Sequence, residues 1–417
     1  MQDLLTFWNA DGASASLPTL AWSLVLAFAA AAGYLVQRHS GLPKVAGYSV
    51  VGAIAGFFGF ADAAWPLAGN ALFLLQIAIA VVLFEAGARI SLRWFQHNPM
   101  VLVQSLLESV LTFVAVYWLL RQFDLAPIAA QALAVVAVVA SPAVLTRVVM
   151  DTHAAGPVTE RAIALSTLST LYALTIGSAL AGLIEAGENT GVLETIAPLF
   201  KLLALSLAVA ALLGLAIRTA LRVMSPTSEN TSMLLLALIA ASTALATLVG
   251  GSAALSALLA GLLLKQLNPR PWIWPRQLGT AASMLTMLMF VLVSTVAAGT
   301  VWTAAGAALV LGVVAVRLLA KVLGTVLASP GSGLRLSQAL WTGCAMSPMS
   351  SVALLLASQF ALASTAHGAV ITGVALPCIL LMEVVGAVIA TVALRRAGES
   401  GRDHAREAGD SGRGALE

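Results

Sequence analysis

Two Ser-Pro pairs, Ser141-Pro142 and Ser347-Pro348, stand inside long apolar runs of the sequence. Proline lacks a backbone N–H and clashes with the preceding turn, so each pair predicts a helix that kinks or unwinds part-way along. The freed carbonyls and amides then need partners, and a water-lined cavity is one solution that a membrane permits. Hydroxyls beside such a break can serve as oxygen ligands for a small cation. Glu108, Arg317, Lys321 and Glu383 also lie within apolar runs. Ionisable residues in such places mark ion or proton pathways. Arg317 and Lys321 are four apart and share a helical face. Two readings stay open for them: charge coupling, or a structural role in pairing with Glu108 or Glu383 and capping carbonyls at the breaks. For Glu383, an inter-helix hydrogen bond and proton carriage weigh equally. Glu85 and Lys201 read as residues snorkelling to an interface. Glu160 and Arg161 read as a surface pair or a helix-start charge. His39, His97, His153, His367 and His404 fall in loops, a helix end or the tail and receive no role.

The elements that must hold these residues follow from composition. The chain has 417 residues, 60% hydrophobic and 9% charged, with a mean hydropathy of +0.97. Soluble domains carry about 25% charged residues, so a water-soluble globule is excluded. Thirteen apolar segments are expected, at about 17–37, 43–60, 66–88, 99–120, 125–149, 160–184, 195–222, 232–249, 252–267, 277–299, 302–328, 335–361 and 366–394. Typical segments approach the ~20 residues that cross the hydrocarbon core as a helix. Their Ala, Gly, Val and Leu suit close helix packing in lipid, whereas barrel strands would alternate. The fold class is an all-α multi-pass membrane protein. The net charge of +3 is too scattered for nucleic acid. Cys344 and Cys378 lie in apolar runs, which argues against a disulfide framework or zinc site. No cleavable signal peptide, cofactor motif, Walker-type loop or redox motif is visible, so neither an enzyme nor a nucleotide-driven pump is expected.

Arginine and lysine alternate with acids from loop to loop. Arg38, Lys44, Arg89, Arg93, Arg147, Arg161, Arg222, Lys265, Arg335, Arg395 and Arg396 fall on one side, and Asp62, Asp124, Glu185 and Glu188 on the other. The positive-inside rule puts the first set in the cytoplasm. It places the N-terminus (1–16) outside, the transmembrane domain at 17–396 and a disordered cytoplasmic tail at 397–417. Each Ser-Pro pair lies in the fifth segment of a run of six. With 195–222 as linker, the halves 17–184 and 232–394 form two inverted repeats whose broken helices cross at the substrate site, a plan used by secondary transporters.

Several stretches resemble the monovalent cation:proton antiporters, above all the Kef-type branch of bacterial sodium/proton and potassium/proton exchangers. They are LPKVAGYSVVGAIAGFFGF, VLFEAGARISLRWF, ASPAVLTRVV, RLLAKVLGTVLA and LMEVVGAVIATVALRRAGES. The resemblance implies alternating access, a homodimer in a bacterial-type inner (plasma) membrane, and Lys321 as the buried base. It also implies an Asn-Asp or Asp-Asp pair in the sixth segment. There the chain reads ALSTLSTLYALTIGS, with Ser169-Thr170 at the pair. The family's other acid position is Ser141, and its second base is replaced by Met349, Ser350 and Ser351. A hydroxyl can ligate sodium or potassium but cannot exchange a proton near neutral pH. The expected activity is therefore cation:proton exchange with ligands at Ser141, Ser169, Thr170, Ser347 and Ser350 and protons on Glu108 or Glu383. No metal is expected beyond a transported sodium or potassium ion. The rival expectations are an anion or organic-acid transporter on the same scaffold, and a transport-incompetent sensor or scaffold.

Overall fold

A computed structural model describes residues 10–59, 69–186, 192–225, 228–267, 276–300, 304–349, 351–364 and 366–401. Among the described residues every regular element is a helix. They run α1 (Ala10–Ser40), α2 (Lys44–Phe57), α3 (Gly69–Arg89), α4 (Leu92–His97), α5 (Met100–Gln122), α6 (Pro127–Val138), α7 (Pro142–Thr152) and α8 (Pro157–Ala186). After these come α9 (Val192–Val223), α10 (Glu229–Leu248), α11 (Ala253–Leu267), α12 (Arg276–Ala298), α13 (Ala304–Leu327), α14 (Leu336–Ala345), α15 (Ser351–Ala363) and α16 (Gly368–Arg396). Ten spans among the described residues are long and apolar enough to cross a membrane, and α2, α11 and α15 are shorter apolar helices. The protein is a multi-pass membrane protein.

Both Ser-Pro runs are interrupted. Pro142 cannot donate back to the Val138 carbonyl, so α6 stops there. Pro142 then serves as the first residue of α7, and the Ser141 hydroxyl caps that helix by accepting from Val144 N at 3.3 Å. The run around Pro348 divides into α14 and α15. Proline alone does not decide this, because Pro198 and Pro377 lie inside the continuous helices α9 and α16.

The helices sort into two packed groups, α1–α3 with α9–α12, and α5–α8 with α13–α16. In the first, Gly87 of α3 faces the Leu258 carbonyl while Gly261 of α11 faces Phe84, so the two backbones touch. In the second, Gly324 of α13 lies on the Glu108 backbone, and Gly386 of α16 lies on Pro348. A side chain at any of these positions would force the helices apart.

Two expected boundaries move. Helix α1 starts inside the stretch read as an N-terminal extension. Residues 397–401, read as the start of a disordered tail, instead pack on the α7–α8 turn, with Glu399 7% exposed. Residues 1–9 and 402–417 lie outside the described residues.

Candidate functional site

The two breaks meet directly: Ser141 N donates to the Pro348 carbonyl at 2.8 Å. Around this crossing, four consecutive carbonyls at the end of α6 accept side chains from other helices. Arg317 Nε donates to Ala137 O at 2.8 Å, and Lys321 Nζ to Val138 O at 3.0 Å. Arg317 Nη2 donates to Val139 O at 2.6 Å, and Thr170 Oγ1 to Ala140 O at 2.7 Å. The carbonyl orphaned by Pro142 is thus the one that Lys321 takes. Arg317 Nη1 crosses to the other break, at Ser347 O (2.5 Å), and also reaches Met382 Sδ at 3.6 Å. The four-residue spacing of Arg317 and Lys321 stacks both cations against the negative end of α6, where the helix dipole favours them.

Lys321 also forms an ion pair with Glu108 of α5. The Glu108 carboxylate has three hydroxyls around it: Ser169 Oγ at 3.2 Å, Ser109 Oγ at 3.3 Å and Thr112 Oγ1 at 3.3 Å. Ser169 Oγ lies 2.7 Å from Leu165 O, and Thr170 Oγ1 lies 2.8 Å from Ser166 O. Each has a single hydrogen, so it serves one acceptor at a time and its oxygen can accept or ligate. Arg317, Lys321, Glu108, Ser169, Thr170 and Ser347 are wholly buried.

The remaining expected residues fall nearby or outside. The Ser347 hydroxyl donates to Gly386 O at 3.2 Å, which holds the second break against α16. Glu383 is buried and accepts from Ser294 Oγ of α12 at 2.9 Å, away from the Glu108 cluster. Ser350 lies outside the described residues. Glu85 pairs with Arg89 at 2.7 Å, and Lys201 is exposed on α9. Arg161 turns inward to Ser332 O at 2.9 Å rather than pairing on the surface with Glu160. Sequence reasoning missed Ser109 and Thr112 as part of the carboxylate ring. Thr112 was findable, because it lies one helical turn beyond Glu108 on the same face.

A cleft of about 400 Å3 lies between the two helix groups, lined by Arg89, Ser91, Trp94, Glu160 and Lys265 among others. It opens beside the start of α8, the helix that carries Ser169 and Thr170. Two broken helices crossed inside a bundle, with a buried ion pair at the crossing, form an arrangement suited to holding one small charged species.

The family model for the transmembrane part of sodium/hydrogen exchangers matches residues 24–396. The chain belongs to the sodium/hydrogen exchanger family. That match covers all the helices of the crossing, so this exchanger's broken helices belong to the family domain itself. Among solved structures, the sodium proton antiporter MjNhaP1 from Methanocaldococcus jannaschii at pH 8 is similar, at 15% identity and a TM-score of 0.65. That likeness covers 91% of this chain and 95% of the other. An electron-microscopy structure of the same archaeal antiporter gives 14% identity and a TM-score of 0.69, covering 91% and 97%. At such identities the likeness speaks for the fold. No curated protein matches the chain.

Proposed function

We propose that this exchanger swaps a monovalent cation, sodium or potassium, for a proton by alternating access, using Glu108 and Lys321 where relatives use a sixth-helix aspartate. The observation that carries the reading is the buried Glu108–Lys321 pair, with Ser109, Thr112 and Ser169 hydroxyls about the carboxylate. An arriving cation takes the carboxylate and hydroxyl oxygens and displaces the ammonium. Lys321 then stands buried without its counter-charge, which is costly, and it releases its proton. Binding of a proton from the other side restores the pair and expels the cation there. One cation enters for each proton that leaves. Thr170, one residue on, holds the end of α6 at a fixed distance from the carboxylate.

Arg317 does not favour the anion reading. Its donors point at the carbonyls of residues 137, 139 and 347 and at Met382, so they are already taken by acceptors within the protein. The inverted-repeat plan supports thirteen spans, with α9 as the linker between α1–α8 and α10–α16. It also supports an outer N-terminus, a cytoplasmic C-terminus, and movement of α5–α8 with α13–α16 against the other group. The Kef-type motifs support a homodimer in a bacterial-type inner membrane.

Reconstituted vesicles with an internal pH dye test the proposal. Sodium or potassium should move protons, and chloride or small carboxylates should not. If no monovalent cation moves protons, the reading fails. Glu108→Gln should abolish the exchange. Thr170→Asp, which restores an acid at the family's position, should strengthen it.

A further inference from the structure

Glu399 takes no part in the crossing, yet it caps the helix that carries Ser169 and Thr170. Helix α8 starts at Pro157, and the residue before it, Gly156, has no side chain with which to cap it. The first amides of a helix need an acceptor. Here the acceptor is the Glu399 carboxylate, 241 residues further along the chain from Val158. Val158 N donates to it at 2.8 Å, and Thr159 N and Thr159 Oγ1 each donate at 2.7 Å. The carboxyl group occupies the space that a side chain at position 156 would need. The backbone joins in: Ala155 N donates to Glu399 O at 3.0 Å, and Ser400 Oγ reaches Thr152 O at 3.5 Å. Gly401 rests on His153, the left-handed residue (φ 51°) that ends α7. The three residues 399–401 therefore close the end of α7 and the start of α8 together.

Helix α7 is the second arm of the first break. Helix α8 carries the hydroxyl pair ten residues beyond Thr159, about 15 Å along the axis. We propose that Glu399 is a positioning residue for the ion site: a remote N-cap that sets how deep Ser169 and Thr170 sit against Glu108 and the α6 carbonyls. The inference rests on the crossing being the transport site. It predicts that the transport domain extends through residue 401 and that the chain beyond is dispensable for exchange.

The test uses the full chain in vesicles, with Glu399→Ala, Glu399→Gln, Gly156→Ala and chains ended after Arg396 or after Gly401. Transport is read as cation KM and maximal rate, and hydrogen exchange is read along α8. Glu399→Ala and the chain ended after Arg396 should raise cation KM by about fivefold, the size of one lost cap, with the maximal rate kept. Their faster exchange should reach from residues 155–160 up to residues 166–170. Glu399→Gln, which keeps one acceptor oxygen, should recover part of the loss. Gly156→Ala should act like Glu399→Ala and add nothing to it. The chain ended after Gly401 should match the full chain. Faster exchange confined to residues 155–160, or a lower melting temperature with unchanged KM, overturns the proposal. If the unaltered protein transports no cation, exchange at residues 166–170 still decides the positioning role by itself.

Discussion

The two breaks have the same Ser-Pro sequence but opposite ways of satisfying their backbone. At the second, the carbonyl that Pro348 orphans belongs to Cys344, and it is taken by the chain's own Ser347 N–H at 3.1 Å. Met346 N likewise closes onto Thr342 O and Gly343 O. At the first, the carbonyls of residues 137–140 depend on Arg317, Lys321 and Thr170, which are 30 to 183 residues away. The second break closes the carbonyl its proline orphans on itself and takes outside donors only at Ser347 O and Pro348 O, whereas all four carbonyls at the first are held by distant side chains. The first break is the one in which a member of the ion pair, Lys321, holds a carbonyl.

Replacing Lys321 should break this contrast most severely. Lys321→Met strands a buried Glu108 carboxylate, for a loss of about 3–5 kcal/mol, read as the melting temperature in detergent. Adding Glu108→Gln should recover much of that loss while transport stays absent. Next comes Arg317→Met, which removes three hydrogen bonds to carbonyls, for about 2–3 kcal/mol in all. Arg317→Lys should not rescue it, because one ammonium cannot span the planar fork of contacts. Thr170→Val removes only the Ala140 cap and should cost about 1 kcal/mol. Ser347→Ala, at the self-closed break, should cost about 0.6 kcal/mol, an average value for hydrogen bonds between membrane helices. A Ser347→Ala effect as large as that of Arg317→Met would erase the distinction between the breaks.

Both breaks were legible in the sequence, because a missing N–H at residues 142 and 348 is a covalent fact. The shared face of Arg317 and Lys321 was also legible from spacing alone, as was their choice between pairing and capping. In the structure Lys321 does both. Which carbonyl each donor takes was not legible, since it depends on how α13 and α8 lie against α6. Pro198 and Pro377 show the limit from the other side, being the same residue type within unbroken helices. Glu399 gave no signal, because an acid just past a basic helix end reads like any solvated tail residue. Its clue lay at Gly156, whose need for space appears only once the chain is folded.

The crossing carries Arg317 and Lys321 against the single carboxylate of Glu108, a surplus of one positive charge. Moving one charge through 100 mV exchanges about 2.3 kcal/mol with the membrane potential. In the proposed cycle a cation replaces the Lys321 proton, and the surplus stays the same. Both half-cycles then cross the field with equal charge, so voltage would slow one and speed the other without powering net exchange. Thr170→Asp would cancel the surplus and flatten that dependence. If the unaltered exchanger already ignores voltage, a further buried acid balances the surplus, and Glu383→Gln tests whether it is Glu383 on α16.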